Sequence, residues 1–215
     1  MKTLKCLLVG LLACLIASCS KEKVVLLLPD EVSNRMEFAE GQLKTALEQH
    51  GYEVAVVKEG ENIPADVKTI RLEVSKQDSL AKEGFTITTK ENVTTVCGND
   101  GSGVIYGCRE LIDRMELKDK LDCPENYTDA PEMVLRGGCI GVQKTFILPG
   151  RAVYEYPYTP ENFPWFYDKD LWVKYLDMLV ANRMNSLYLW NGHPFASLVK
   201  LKDYPFAVEV DDETF

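Results

Sequence analysis

Val24-Val25-Leu26-Leu27-Leu28 is apolar at five consecutive positions and stops at Pro29-Asp30. Neighbouring side chains of a strand point to opposite faces, so an unbroken apolar run needs cover on both faces and belongs inside a sheet. The period then changes. Ser33 can cap a helix in which Met36, Ala39, Leu43, Ala46 and Leu47 recur every three or four positions, and His50-Gly51 closes it. Tyr52 to Val57 returns to strand character, which completes a βαβ unit.

After a loop at Gly60 to Asp66, the alternation of Ile70, Leu72 and Val74 predicts a strand over Thr69 to Val74. Gly84 to Thr89 and Val93 to Cys97 flank Lys90-Glu91-Asn92 and pair most simply as an antiparallel hairpin. A helix follows from about Gly103 to Met115, with Val104, Tyr106, Gly107, Leu111, Ile112 and Met115 facing inward. The expected fold class is α/β, with a first domain of the α+β kind: a mixed sheet and two helices.

The junction VCGNDGSGVIYGCREL, Val96 to Leu111, is a strand, a glycine loop and a helix, the order of a phosphate cradle. Its spacing argues against one. The glycines run Gly101-x-Gly103-x-x-x-Gly107, the preceding strand belongs to a hairpin, and no Gly-Lys-Ser or Gly-Lys-Thr is present. The better reading is steric: Gly101 and Gly103 permit a tight turn, and Gly107 lets the helix lie close on the sheet.

Leu121 to Pro131, rich in Pro, Asn and Asp, reads as a linker. A second unit begins with a strand over Met133 to Gly141, its glycines placed for close backbone approach, followed by a long loop from Val142 to Tyr167. Asp168 or Asp170 starts a helix whose Trp172, Tyr175, Leu176, Leu179, Val180 and Met184 form one face, and Ser186 to Trp190 is a further strand.

Lys2 and Lys5 precede an apolar run to Ala17 that is short for a membrane span, and Leu15-Ile16-Ala17-Ser18-Cys19 resembles the bacterial lipobox. That resemblance implies acylation of Cys19, export, and anchoring to a bacterial membrane without a spanning helix. Loss of Lys2 and Lys5 with the leader takes the net charge from −9 to −11, which disfavours nucleic acid as a partner. Cys97, Cys108, Cys123 and Cys139 remain; disulfides are open to them, and buried free thiols no less so, since Cys97 and Cys139 sit in apolar runs. The expected layout is a leader over 1–18, a small α/β domain over 19–124, a linker over 125–132 and a second unit over 133–215.

GFTITTKENVTTVCGNDGSGVIYGCRELIDRM resembles the end of the small domain that precedes the barrel in glycoside hydrolases of families 20, 67, 84 and 115, enzymes of the β-N-acetylhexosaminidase and α-glucuronidase type. PEMVLRG is similar to the segment entering the first barrel strand of family 20, and WVKYLDMLVANRMNSLYLWNGHPF resembles the first barrel helix and second strand. The resemblance implies a zincin-like shape for the first domain and, after it, an incomplete (β/α)8 barrel. A barrel works at the carboxyl ends of its strands. By this resemblance Arg136 would hydrogen-bond sugar hydroxyls, and Trp190, Asn191 and His193 would line the exit of the second strand. For each the plain alternative stands beside it: a salt bridge for Arg136, core for Trp190, a loop hydrogen bond for His193. The loop at 154–167 is dense in aromatics, Trp165 among them, and aromatic faces stack on sugar rings.

Glycosidic hydrolysis normally takes two carboxyl groups, and in the resembled families these come from later strands. The expectation is therefore the N-terminal fragment of a carbohydrate-degrading glycoside hydrolase that acts on an oligo- or polysaccharide. It holds no catalytic residue, no metal site and no cofactor, and is inactive alone. The alternative is a non-enzymatic carbohydrate-binding lipoprotein that uses the aromatic loop.

Overall fold

The structure, a computed structural model, describes residues 21–141 and 164–190. The chain divides into two compact units, Met1–Glu132 and Met133–Phe215. The first holds β1 (Lys23–Leu28), α1 (Asn34–Gln49), β2 (Glu53–Lys58), β3 (Lys68–Val74), β4 (Phe85–Lys90), β5 (Val93–Gly98), α2 (Gly101–Lys118) and β6 (Asn126–Asp129). Its six strands form one mixed sheet in the order β2-β1-β3-β5-β4-β6. The strands β2, β1, β3 and β5 run parallel, whereas β4 is antiparallel to both β5 and β6.

The apolar run of β1 lies between β2 and β3, and all five of its residues are buried. Val24, Leu26 and Leu28 join Ile70, Leu72, Phe85, Ile87 and Val96 in a core that α1 and α2 complete. Val25 and Leu27 point to the other face by strand alternation and stand outside that core, although they too are buried. In α1 the five periodic positions are the five buried ones, and Ser33 Oγ accepts a hydrogen bond from the Met36 amide at 3.3 Å. Leu43 and Leu47 are wholly buried, each worth roughly 1.5–3 kcal/mol of transfer free energy.

Three expectations for this unit need correction. Val74 ends its strand half exposed, because among the described residues no element covers the last residue of β3 as α1 and α2 cover Ile70 and Leu72. The helix after the glycine loop is longer at both ends than Gly103 to Met115, since Asp100 caps it at Gly101 and Asp119 ends it with φ +54°. Residues 126–129, expected as linker, form the edge strand β6. Tyr127 explains this: its ring packs against Phe85 at 6.1 Å and lies 4.7 Å beneath the Arg114 guanidinium.

The second unit holds β7 (Gly137–Gly141), a 3-10 turn (Pro164–Tyr167), α3 (Lys169–Ala181) and β8 (Ser186–Trp190). The strands β7 and β8 pair in parallel, Gly137 with Ser186 and Gly141 with Trp190. The glycines of β7 do allow close approach: a Cβ on Gly137 would strike the Ser186 carbonyl, and one on Gly138 would lie 2.8 Å from the Tyr175 hydroxyl. Two expectations fail here. Residues 133–136 are not strand, and Val134 is 90% exposed. The apolar face expected on α3 is incomplete, with Leu179 buried but Leu176 exposed. Helical periodicity identifies such a stripe, but only neighbouring elements can bury it.

Candidate functional site

The glycine loop is closed by its own side chains. Asp100 Oδ1 accepts from the amides of Ser102 at 2.9 Å and Gly103 at 3.0 Å, and its Oδ2 accepts from the Glu83 amide at 3.0 Å. Asn99 completes the clasp: its Oδ1 accepts from the Gln77 amide, and its Nδ2 donates to the carbonyls of Leu80 and Ala81. A phosphate cradle presents free amides at a helix N-terminus. Here a carboxylate already fills that position, and a phosphate brought there would meet like charge.

The glycines act by shape. A Cβ on Gly103 would strike the Gly84 carbonyl, and one on Gly107 would sit 2.5 Å from Val96 Cγ1 and 3.1 Å from Phe85 Cδ2. Gly98 belongs with them, since its Cβ would strike the Val104 amide nitrogen, whereas Gly101 faces only the flexible Arg35 side chain. The steric reading thus holds for Gly103 and Gly107, passes from Gly101 to Gly98, and makes this junction structural.

In the second unit the described residues include Arg136, Trp165 and the backbone of Trp190, and Arg136 and Trp190 fall at opposite ends of the strand pair. Arg136 directly precedes β7, at the amino end of the pair, where Ser186 begins β8. Its guanidinium donates from Nε to the Arg183 carbonyl at 2.8 Å and from Nη1 to the Met133 carbonyl at 2.7 Å. Trp190 pairs with Gly141 at the carboxyl end, four strand steps or about 13 Å away. The Trp165 ring is tilted on Trp172 at 6.0 Å and edge-on to Phe166 at 6.1 Å, and the Trp172 indole donates to the Phe166 carbonyl at 2.7 Å. This is an aromatic knot that seats the 3-10 turn on α3. Asn191, His193 and Cys19, and most of the loop at 154–167, lie outside the described residues.

Asn185 was missed by sequence reasoning. Its Oδ1 accepts from the Arg136 amide at 3.0 Å and its Nδ2 donates to the Val134 carbonyl at 2.8 Å, so one side chain ties the entries of both strands. The signal was its position immediately before an apolar strand, where an amide can bridge main-chain groups.

Among the described residues Cys97, Cys108, Cys123 and Cys139 are free thiols. Burial pushes the Cys108 thiol far above its ordinary range, with Glu40 adding to it, and burial likewise raises Cys97 and Cys123. Cys139, expected to be buried, is exposed on β7 because the described residues place no apolar element over that face of the strand.

Residues 20–120 match the family described as glycosyl hydrolase family 20, domain 2. The first unit is a glycoside hydrolase domain. Among solved structures, the chain is similar to a GH138 enzyme targeting pectin rhamnogalacturonan II, with 57% identity, a TM-score of 0.74, and coverage of 90% of this chain and 27% of that one. It is also similar to the GH20 β-N-acetylhexosaminidase of Streptomyces coelicolor, at 16% identity and TM-score 0.48 over 77% of this chain and 30% of that one. For a β-N-acetylhexosaminidase of Bacteroides fragilis the values are 18% and 0.49, over 78% and 29%. No curated protein matches. The resemblance to family 20 is thus met in the glycoside hydrolase domain itself, while GH138 lies outside the four families the motifs suggested. A match to a hydrolase domain favours the hydrolase over the carbohydrate-binding lipoprotein. The chain spans 27% of the length of the GH138 enzyme.

Proposed function

We propose that this chain is the N-terminal part of an exported glycoside hydrolase of the GH138 kind, acting on a pectic polysaccharide. The observation that carries the proposal is 57% identity to the GH138 enzyme across 90% of the chain, well beyond the glycoside hydrolase domain alone. In this reading the second unit is the first β/α/β segment of a (β/α)8 barrel. Two features support it: β7 and β8 are parallel, and the flanks of α3 carry the exposed apolar residues Leu171, Val173, Leu176 and Met178, as neighbouring βα units require.

The chemistry follows from that layout. One carboxylic acid protonates the departing glycosidic oxygen, and a second carboxylate attacks the anomeric carbon or activates water against it. Both are assigned to parts of the enzyme that the chain, at 27% of the relative's length, does not cover. Trp190, Asn191 and His193 are assigned to the saccharide end of the second strand. Arg136 is assigned to holding the strand entry and Trp165 to packing against α3, because their groups are spent on those contacts.

Cys19 is the proposed acylation site, which places the enzyme on a bacterial membrane face, in the periplasm or at the cell surface. Labelled palmitate should enter the wild type and be absent from Cys19→Ala. The activity is tested by incubating the full-length protein with rhamnogalacturonan II and measuring new reducing ends. Release of sugar is expected, and none from rhamnogalacturonan II or its isolated side chains would refute the assignment.

A further inference from the structure

The face of the sheet away from the helices carries a cavity of about 490 Å³. Leu27 of β1 and Arg71 of β3 form its floor, directly paired across the two strands, and Glu59, Glu61, Asn62 and Ile63 of the β2–β3 loop form its wall. Its place in the fold is informative. Strand order β2-β1-β3 means that the chain leaves β1 toward one side and later returns on the other, so the boundary between β1 and β3 is a topological switch point. In open sheets with parallel strands, ligands settle at the carboxyl ends of strands at such points. The loop that walls the cavity leaves the carboxyl end of β2.

The wall is held in place before any ligand arrives. The Glu59 amide donates to the Leu28 carbonyl at 3.0 Å, the Lys58 amide donates to Glu61 Oε1 at 2.9 Å, and Asn92 Nδ2 donates to the Ala65 carbonyl at 3.0 Å. Gly60 turns the chain with φ +90°. A loop fixed in this way loses little conformational entropy on binding.

The lining selects a ligand class. Arg71 Nη1 donates to Glu59 Oε1 at 3.2 Å, so the only cation of the lining is already neutralised, and Glu61 adds a further negative charge. Phosphate or uronate would be repelled. What remains are the planar hydrogen-bonding groups of Arg71, Glu59, Glu61 and Asn62 around the apolar Leu27 and Ile63. Hydroxyl groups need both donors and acceptors, which Arg71, Asn62 and the two carboxylates supply, and the half-buried Ile63 gives the C–H face of a sugar ring an apolar patch, with Leu27 buried beneath.

We propose that this cavity binds a neutral glycosyl unit, which makes the first domain a saccharide-holding site in its own right. The inference rests on the saccharide-degrading reading only for its choice of ligand. Its test is saturation-transfer NMR on the full chain with methyl α-L-rhamnoside, methyl β-D-galactoside and methyl α-D-galacturonide as probes. The neutral glycosides should receive saturation and the uronide less. Arg71→Ala and Asn62→Ala should weaken the neutral glycosides about ten-fold, the value of one lost hydrogen-bonding group at roughly 1.4 kcal/mol. Asn62 is exposed in its loop, so its variant keeps the test open should Arg71→Ala fail to fold. No transfer to either neutral glycoside, equal transfer in wild type and Asn62→Ala, or preference for the uronide overturns the proposal. A full-length enzyme that releases no reducing ends while this binding persists would overturn the hydrolase assignment instead.

Discussion

Replacing Asp100 by alanine removes three hydrogen bonds at once, to the amides of Glu83, Ser102 and Gly103. Loss of the helix cap costs about 1 kcal/mol, and loss of a negative charge at the helix N-terminus about 0.3–1 kcal/mol more. The half-buried Glu83 amide also loses its carboxylate acceptor, for about another 1 kcal/mol. The expected destabilisation of Asp100→Ala is therefore about 2–3 kcal/mol. Asp100→Asn keeps one acceptor for the helix amides but loses the charge, and should cost about 1–2 kcal/mol. Urea unfolding is followed by far-UV circular dichroism, which reads the first unit's own helices and sheet, whereas Trp165, Trp172 and Trp190 all lie in the second unit. Amide exchange at Glu83, Ser102 and Gly103 should accelerate together. An alanine variant within about 0.5 kcal/mol of wild type would refute the clasp. Saturable binding of ADP by the wild type at micromolar concentration would restore the phosphate reading.

Two of the helical glycines, Gly41 and Gly107, should respond to alanine in opposite directions. Gly107→Ala forces a methyl to within 2.5 Å of Val96 Cγ1 and should lose about 1–3 kcal/mol, whereas Gly41 has open space around it and Gly41→Ala should gain about 0.5–1 kcal/mol; equal shifts in thermal midpoint would contradict the packing. Asp119 holds φ +54° at the end of α2, so Asp119→Gly should relieve strain and raise stability by about 1 kcal/mol in the same denaturation series. The Cys108 thiol stays protonated in the fold, while in the unfolded chain it ionises from about pH 9 upward. Above that pH the native state holds more protons, so stability must fall as pH rises, by at most about 1.4 kcal/mol per pH unit for this thiol. A midpoint that stays level between pH 8.5 and 10 would contradict the burial. Under native conditions at pH 8, maleimide should label Cys139 well before Cys97 and Cys108, as read by mass spectrometry.

Much of the first unit was legible because its signals are local and agree with one another. The period of Met36, Ala39, Leu43, Ala46 and Leu47 is set within one helix, and the hairpin around Lys90-Glu91-Asn92 needs only its two neighbouring strands. The edge strand β6 was illegible for a different reason. Its four residues, NYTD, hold one ring, and only the meeting of Tyr127 with Phe85 and Arg114, each distant in sequence, turns a polar segment into a strand. Met133, Val134 and Leu135 mislead in the opposite direction, since an apolar run predicts a strand only where a partner strand is present.

The candidate site shows why residue type alone places function poorly. Arginine, tryptophan and asparagine suit saccharides because they offer forked donors, flat apolar faces and paired donor–acceptor groups, and those properties serve a fold equally well. What separates the uses is the end of the strand on which a residue falls. Arg136 and Asn185 stand at the entry of the parallel pair and spend their groups on main-chain atoms there, whereas Trp190 stands at the exit. Strand direction is a property of the pairing, and the sequence around PEMVLRGG does not state where β7 begins. One residue decides it: Gly137, not Arg136, takes the first pairing position, because only a glycine tolerates the Ser186 carbonyl so close. Gly137→Ala should therefore disrupt the β7–β8 pairing itself. Arg136→Ala should loosen the strand entry and lower stability, yet leave the Km of the full-length enzyme for its saccharide unchanged; a raised Km at unaltered stability would return Arg136 to the binding site.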